Sequence, residues 1–214
     1  MSTVIETKEI AGQICHRHPN GGGWVSESAT VAETAYIGPR AMVLGHAKVL
    51  DTARIDGNSS VFGNAVVCDN ARVQDASPVD ILKSIFERTT KGPVGGVRIC
   101  GNARVSGNTW IAGNALITDH AVISGQAWVY DHAEVGGNAQ VGDRSRVYGH
   151  AKVRGNARIG DRAFVFDQST VSGASEVADH AHVKGKAKIY GKSKIGGKSV
   201  VSGDQRLVSR VLSD

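Results

Sequence analysis

Aliphatic residues return at every sixth position along most of this chain. An unbroken series runs from Ile99 to Leu207, and every member except the last is Ile or Val. A small residue stands two positions before nearly every one of them, as at Ala115 and Ala121. A period of six matches neither the 3.6-residue turn of a helix nor the two-residue alternation of a simple strand. It predicts a short strand, a corner and a repeat of both.

A second series with the same period precedes the first and runs from Val25 to Val73. Val73 and Ile99 are 26 positions apart, which is not a multiple of six, so a segment interrupts the repeat. Ser77 followed by Pro78 suits the start of a helix. Apolar residues then follow at helical spacing, namely Ile81, Leu82, Ile85 and Phe86. We therefore expect a short inserted helix and loop at 77–96, folded against the outside of the repeat.

Three six-residue units close a three-sided coil, and successive coils stack as three parallel sheets. The aliphatic residue points inward, and the small residue fits inside a corner made by the two residues before it. The sequence predicts about nine such coils. Corner pairs such as Gly107-Asn108 and Asp131-His132 recur, and we expect positive φ at their second residue, which Asn tolerates. Pro39 stands at a first corner position, where its fixed φ suits a turn.

The chain divides into five predicted segments. They are an N-terminal cap at 1–23, β-helix at 24–76, the insertion at 77–96, β-helix at 97–208, and a C-terminal cap or tail at 209–214. Apolar residues before the repeat suggest strand or turn structure over the first coil: Val4, Ile5, Ile10 and Ile14. Others leave the repeat at its end and are expected to cap the last coil: Leu207, Val208, Val211 and Leu212. Caps are expected because an open coil exposes strand edges.

The V-x-[GD]-[NH]-A-x units resemble the hexapeptide repeats of left-handed parallel β-helix proteins. The resemblance covers about residues 24–76 and 97–208 and implies an all-β fold. The Gly-Gly-Trp-Val entry at Gly22–Val25, with units such as Gly101–Val105, looks like the YdcK-type proteins of enteric bacteria and their phage relatives. Members of that group are commonly labelled acyltransferases from their fold alone, which is an argument by association.

Residues 18 apart are predicted to share a face of the coil. The face built on Ile111, Val129, Val147 and Val165 collects six of the eleven aromatic residues. Its candidate interface residues are Trp110, Trp128, Tyr130, Arg146, Tyr148, Phe164 and Phe166. A patch of this size indicates a protein interface, most commonly one between copies of the chain, here a dimer or trimer. The alternatives are ordinary ladders on a water-facing sheet, or cover by the inserted helix.

The net charge of +5 is concentrated at the C-terminal end. The predicted basic patch comprises Lys186, Lys188, Lys192 and Lys194. Such charges either meet nucleic acid or lipid phosphate, or solvate exposed strands and discourage end-to-end stacking. A stacking platform for nucleic acid would need more basic residues among the aromatics than Arg146 and Lys184.

The weak catalytic candidates are His132 and His150, which are 18 apart at second corner positions. Hexapeptide-repeat acyltransferases use a histidine general base in a cleft between subunits, whereas turn geometry alone also explains a corner histidine. The three cysteines lack metal-ligand spacing, and the close His-x4-His pair of the zinc carbonic anhydrases that share the fold is absent. We therefore expect no metal site and free thiols in a reducing cytoplasm.

The chain has no stretch of 18 apolar residues and no apolar signal core at its start. We expect a cytoplasmic protein, in the host cytoplasm for a phage-encoded one, with no membrane partner. The leading hypothesis is a non-catalytic β-helix that binds protein and self-associates through the aromatic residues, such as a phage-type accessory or inhibitor protein. The alternative is an acyltransferase with a site between subunits, which would take acetyl-CoA or another acyl-CoA; otherwise no cofactor is expected.

Overall fold

A computed structural model describes residues 6–75 and 96–213. These residues form an all-β parallel solenoid of about nine coils, without a helix among them. The solenoid has three sheets, here called sheets A, B and C, with 12, 10 and 9 strands. The fold predicted from the six-residue period is confirmed.

Sheet A contains β1 (Thr7–Ile10), β2 (Gln13–Arg17), β3 (Trp24–Ser26), β6 (Met42–Val43), β9 (Ser60–Val61), β12 (Arg98–Ile99), β15 (Leu116–Ile117), β18 (Glu134–Val135), β21 (Lys152–Val153), β24 (Thr170–Val171), β27 (Lys188–Tyr190) and β30 (Arg206–Val208). Sheet B contains β4 (Thr30–Val31), β7 (Lys48–Val49), β10 (Val66–Val67), β13 (Arg104–Val105), β16 (Val122–Ile123), β19 (Gln140–Val141), β22 (Arg158–Ile159), β25 (Glu176–Val177), β28 (Lys194–Ile195) and β31 (Val211–Leu212). Sheet C contains β5 (Tyr36–Ile37), β8 (Arg54–Ile55), β11 (Arg72–Gln74), β14 (Trp110–Ala112), β17 (Trp128–Val129), β20 (Arg146–Val147), β23 (Phe164–Val165), β26 (His182–Val183) and β29 (Val200–Val201).

The strand register places residues 18 apart side by side on neighbouring coils. Trp110 pairs with Trp128, and Trp128 pairs with Arg146. Across the interruption, Ile99 pairs with Val61, 38 positions earlier, which is one coil of 18 plus 20 further residues. The insertion therefore enters at the corner between sheets C and A and leaves the register unchanged. The helix predicted there lies outside the described residues.

The interior is filled by the aliphatic and small residues of the repeat. Val135 is 1% exposed and Ala139 is fully buried, as are their equivalents in other coils. Each buried Ile or Val stabilises the fold by about 1.5–3 kcal/mol, most of which is offset by the cost of ordering the backbone. Where Ser145 or Ser169 replaces the usual Ala, its hydroxyl donates to the carbonyl three residues earlier, so the buried hydroxyl is satisfied.

The corner conformation differs from the prediction. Positive φ falls on the first corner residue, as at Gly107 (78°) and Asp131 (59°), and not on the Asn or His that follows. Gly has no Cβ to clash in this region, and Asp tolerates it better than most residues. Pro39 cannot adopt positive φ, and neither Pro39 nor the following Arg40 has it.

The two ends of the solenoid are built differently. At the N-terminal end β1 and β2 form an antiparallel hairpin that extends sheet A beyond β3. At the C-terminal end β30 and β31 continue sheets A and B in parallel. The residues expected to cap the last coil are the last strands of sheets A and B, and their capping role stays a prediction. Val208 (56%) and Val211 (69%) are exposed there.

Candidate functional site

The outward side chains of sheet C form a column that mixes aromatic rings with arginine. The rings of Trp110 and Trp128 lie 5.1 Å apart between centroids, with planes at 64°. The Arg146 guanidinium carbon lies 4.6 Å from the Trp128 ring centroid and 5.5 Å from that of Phe164. The column continues through Phe164 to His182, whose rings are 4.8 Å apart. Contact between neighbours leaves all of these side chains half-buried.

A second column runs beside the first, one position after each inward residue. The Tyr130 and Tyr148 rings are stacked at 4.8 Å with planes 2° apart, and Tyr148 and Phe166 at 4.9 Å with planes 4° apart. We call seven residues of the two columns, leaving out His182, the aromatic face: Trp110, Trp128, Tyr130, Arg146, Tyr148, Phe164 and Phe166. Because the rings of the second column cover one another, their faces are largely unavailable for stacking on bases or sugars.

Burial raises the pKa of the two tyrosines in the second column. Desolvation is the largest cause that raises the pKa of Tyr130 to about 12, and the neighbouring Tyr148 and Asp131 add to it. Burial is also the largest cause that raises the pKa of Tyr148, with Asp167 adding to it. Both hydroxyls are neutral at physiological pH, as an ordinary tyrosine is, and they are hydrogen-bond donors as well as acceptors. The aromatic face offers a partner apolar area with two polar groups inside it.

Sheet C extends further than the sequence pattern showed. β11 pairs with β14 across the insertion, so Arg72 lies beside Trp110, and Arg54 and Tyr36 follow on earlier coils. The Arg54 guanidinium carbon lies 3.9 Å from the Tyr36 ring centroid. These three residues were missed because 26 is not a multiple of six. The signal that could have found them is the order of the sheets. The insertion lies at a corner and the chain visits the three sheets in the same order after it, so counting units rather than residues places Arg72 beside Trp110.

Sheets A and B carry charged pairs in place of aromatic columns. On sheet A, Glu134 accepts from Lys152 at 3.0 Å and from Arg154. Burial disfavours ionisation of Glu134, but these hydrogen bonds outweigh it and lower its pKa. On sheet B, Lys194 and Glu176 are 3.3 Å apart. Such exposed pairs contribute little stability, and they make these two faces polar.

The structure brings the two histidine candidates together. The rings of His132 and His150 are stacked with centroids 4.8 Å apart, and both residues are exposed. His132 Nε2 lies 3.3 Å from Asn114 Nδ2. They line a groove of about 580 Å³ that also includes Arg98 and Glu134. In residues 6–75 and 96–213 no carboxylate hydrogen-bonds to either ring, so neither ring is oriented by an acid as in a catalytic dyad.

The four lysines predicted as a basic patch do not share one face. Lys188 lies in sheet A and Lys194 in sheet B, while Lys186 and Lys192 lie at the corners on either side of β27. The charge therefore forms a belt around the C-terminal coils. A belt presents few cations to any one flat partner, and Lys194 already pairs with Glu176.

One group of possible metal ligands occurs in the described residues. The ligand atoms of Asp51, Cys68 and Asp69 lie within 4.8 Å of one another. Asp51 already accepts from the Asp69 backbone N–H at 3.0 Å, and Asp69 accepts from that of Gly107 at 2.7 Å. Burial raises the pKa of the Cys68 thiol, which disfavours the thiolate that a metal requires. These residues are built into the corner structure and do not fit a metal centre.

Comparison with known proteins supports the fold. A family model described as YdcK Beta solenoid repeat matches residues 97–112, which include β12, β13 and β14. A search of curated proteins found no match. None of the described residues forms a helix that is long and apolar enough to cross a membrane. The match supports a β-helix repeat protein and is silent on activity.

Proposed function

We propose that this protein is a non-catalytic β-solenoid scaffold that binds protein through the aromatic face, with self-association as one form of that binding. The supporting observation is the pair of in-register columns on sheet C, in which Trp, Tyr, Phe and Arg stand on successive coils. These residue types are enriched in the cores of protein interfaces. The phage-type accessory or inhibitor role stays a prediction from resemblance.

The rigid scaffold favours this function. Side chains that are already held by their neighbours lose little rotamer freedom on binding, so less of the interaction free energy is spent on ordering. Trp110, Trp128, Tyr148 and Phe166 each contact a ring on an adjacent coil. The face is therefore arranged before a partner arrives.

The test compares matched double variants of two sheets. Trp128→Asp/Tyr148→Asp places charge within the aromatic face, and Gln140→Asp/Arg158→Asp places it at paired exposed positions of sheet B. For a wild type that self-associates, light scattering should give a dimer or trimer mass for wild type and the sheet B variant, and a monomer mass for the sheet C variant. For a monomeric wild type, capture of a partner from cell extract should be lost in the sheet C variant alone. Unchanged mass and unchanged capture in both variants would contradict the proposal.

A second candidate function rests on the groove beside His132 and His150. We propose as the alternative an acyl-CoA-dependent acyltransferase in which one of these histidines is the general base, completed by a second subunit. Arg98 in the same groove supplies a cation for the phosphates of acetyl-CoA. Calorimetry should then show acetyl-CoA binding that weakens in Arg98→Ala, and activity that falls in His150→Ala. Absence of binding at millimolar acetyl-CoA would remove this candidate.

A further inference from the structure

We infer that the aromatic face binds an acidic segment of a different protein, and that Arg146 holds one of its carboxylates. This inference rests on the proposed protein-binding function and specifies the partner's chemistry. It comes from a comparison among the arginines of this chain that lie over aromatic rings.

Two of these arginines show what a stacked guanidinium binds here. Arg17 lies over Trp24 at 3.8 Å, and its Nε donates to a Glu6 carboxylate oxygen at 3.2 Å. Arg54 lies over Tyr36, and its Nη2 donates to an Asp56 carboxylate oxygen at 2.9 Å. In both cases the ring covers one side of the planar guanidinium, and the N–H edge of the guanidinium binds a carboxylate of the same chain.

Arg146 has the stacking without the carboxylate. Its guanidinium is held between Trp128 and Phe164. Within the part of the chain that the structure describes, its side chain makes no hydrogen bond or ion pair. A guanidinium between two rings is held in place, and its N–H edge is suited to bidentate binding of a carboxylate. The described residues leave this N–H edge without a carboxylate, and we assign that carboxylate to a partner protein.

The surroundings of Arg146 favour a negatively charged partner. Among the described residues that directly flank the inward residues of sheet C, Asp56 is the one carboxylate, and it already pairs with Arg54. On the same sheet, His182 and Lys184 continue the two columns toward the C-terminal end. At the corners nearest Arg146, Asp131 and Asp167 each use an oxygen to accept a backbone N–H of the next coil, from Gly149 and Gly185.

Other occupants fit this surface less well. A second copy facing sheet C with its own sheet C would bring Arg146 near another Arg146 and would offer no unpaired carboxylate from the strands. A nucleic acid strand would need free ring faces, whereas Tyr130, Tyr148 and Phe166 stack on one another. A carboxylate-bearing peptide needs only the guanidinium edge, the tyrosine hydroxyls and the apolar ring edges.

The experiment uses tryptophan emission as a local readout, because Trp110 and Trp128 lie on this face and Trp24 lies on sheet A. Hexaglutamate, and separately an oligothymidylate of equal charge, is titrated at physiological salt into wild type, Arg146→Gln, Arg146→Lys and the control Arg158→Gln. We expect saturable hexaglutamate binding that is about tenfold weaker in Arg146→Gln. Arg146→Lys should restore little of it, because a lysine lacks the planar fork. Arg158→Gln should bind as wild type does.

Three results would overturn the inference. The first is equal hexaglutamate binding by wild type and Arg146→Gln. The second is an emission change with oligothymidylate and none with hexaglutamate. The third is no emission change with either probe. A charge-neutral Tyr130→Ser/Tyr148→Ser variant separates this failure from that of the proposed function. If it weakens hexaglutamate binding while Arg146→Gln does not, the face binds the peptide and Arg146 is not the anchor. With no response to either probe, the light-scattering and capture tests decide the proposed function on their own.

Discussion

At the scale of single residues, the aspartates at the first corner position do two jobs. Asp161 has a φ of 51°, in a region that other side chains with a Cβ adopt at a cost. Its Oδ2 accepts the Asp179 backbone N–H of the next coil at 3.1 Å, and Asp143 accepts from Asp161 in the same way. The carboxylate thus links successive coils at a place where the chain turns.

Substitutions at Asp161 separate these two roles. Asp161→Gly removes the carboxylate and relieves the positive φ, whereas Asp161→Ala removes the carboxylate and keeps a Cβ at that φ. We expect Asp161→Ala to have a free energy of unfolding about 1 kcal/mol below that of Asp161→Gly. Urea denaturation followed by circular dichroism measures the difference. Equal stability of the two variants would show that the corner relaxes and that its φ is not strained.

Residue-scale chemistry was the hardest part to predict. The Asn and His that follow the corner glycines suggested positive φ, since Asn tolerates it, yet the conformation belongs to the residue before them. Gly and Asp both occur at that first position because both tolerate positive φ. In a single sequence, this cannot be told apart from the ordinary preference of Gly and Asp for turns. The hydrogen bonds of the aspartates to the next coil depend on the stacking distance, which is a property of the fold.

At the scale of strands and sheets, the six-residue period carried most of the information. It fixed which residues face inward, and from the 18-residue coil it placed Trp110, Trp128 and Arg146 on one sheet, as the strand pairing shows. The period failed where the chain leaves the repeat. Arg72 could not be joined to Trp110 across an insertion whose length is not a multiple of six. The period also does not predict the last strand, because the spacing of Val211 and Leu212 departs from it although they pair with β28.

The element scale also explains why sheet C differs from its neighbours. Parallel strands place like positions next to each other, so a residue type repeated every 18 positions becomes a ladder. Charged residues at those positions give the ion pairs of sheet A, such as Glu134 with Lys152. Aromatic residues give stacked rings, as for Tyr130 with Tyr148. One scaffold therefore supports two kinds of surface, and only the outward residues decide between them.

At the scale of the whole molecule, the solenoid holds a long face in a fixed shape. The hairpin of β1 and β2 extends sheet A at one end, and a belt of lysines surrounds the coils near the other. The aromatic face lies between these regions, on and directly after strands β14 to β23 of sheet C. Function is therefore assigned to a surface, and the two candidate functions use neighbouring parts of it, the aromatic face and the groove at His132.

The central claim is that residues 18 apart stand in contact on sheet C, because both the binding surface and the Arg146 inference depend on it. The indole rings of Trp110 and Trp128, 5.1 Å apart with planes at 64°, are close enough for their electronic transitions to couple. Circular dichroism in the indole absorption region should show a paired positive and negative band in wild type and in Trp24→Phe. The band pair should vanish equally in Trp110→Phe and Trp128→Phe. Single-tryptophan contributions that simply add, with no band pair in wild type, would contradict the account.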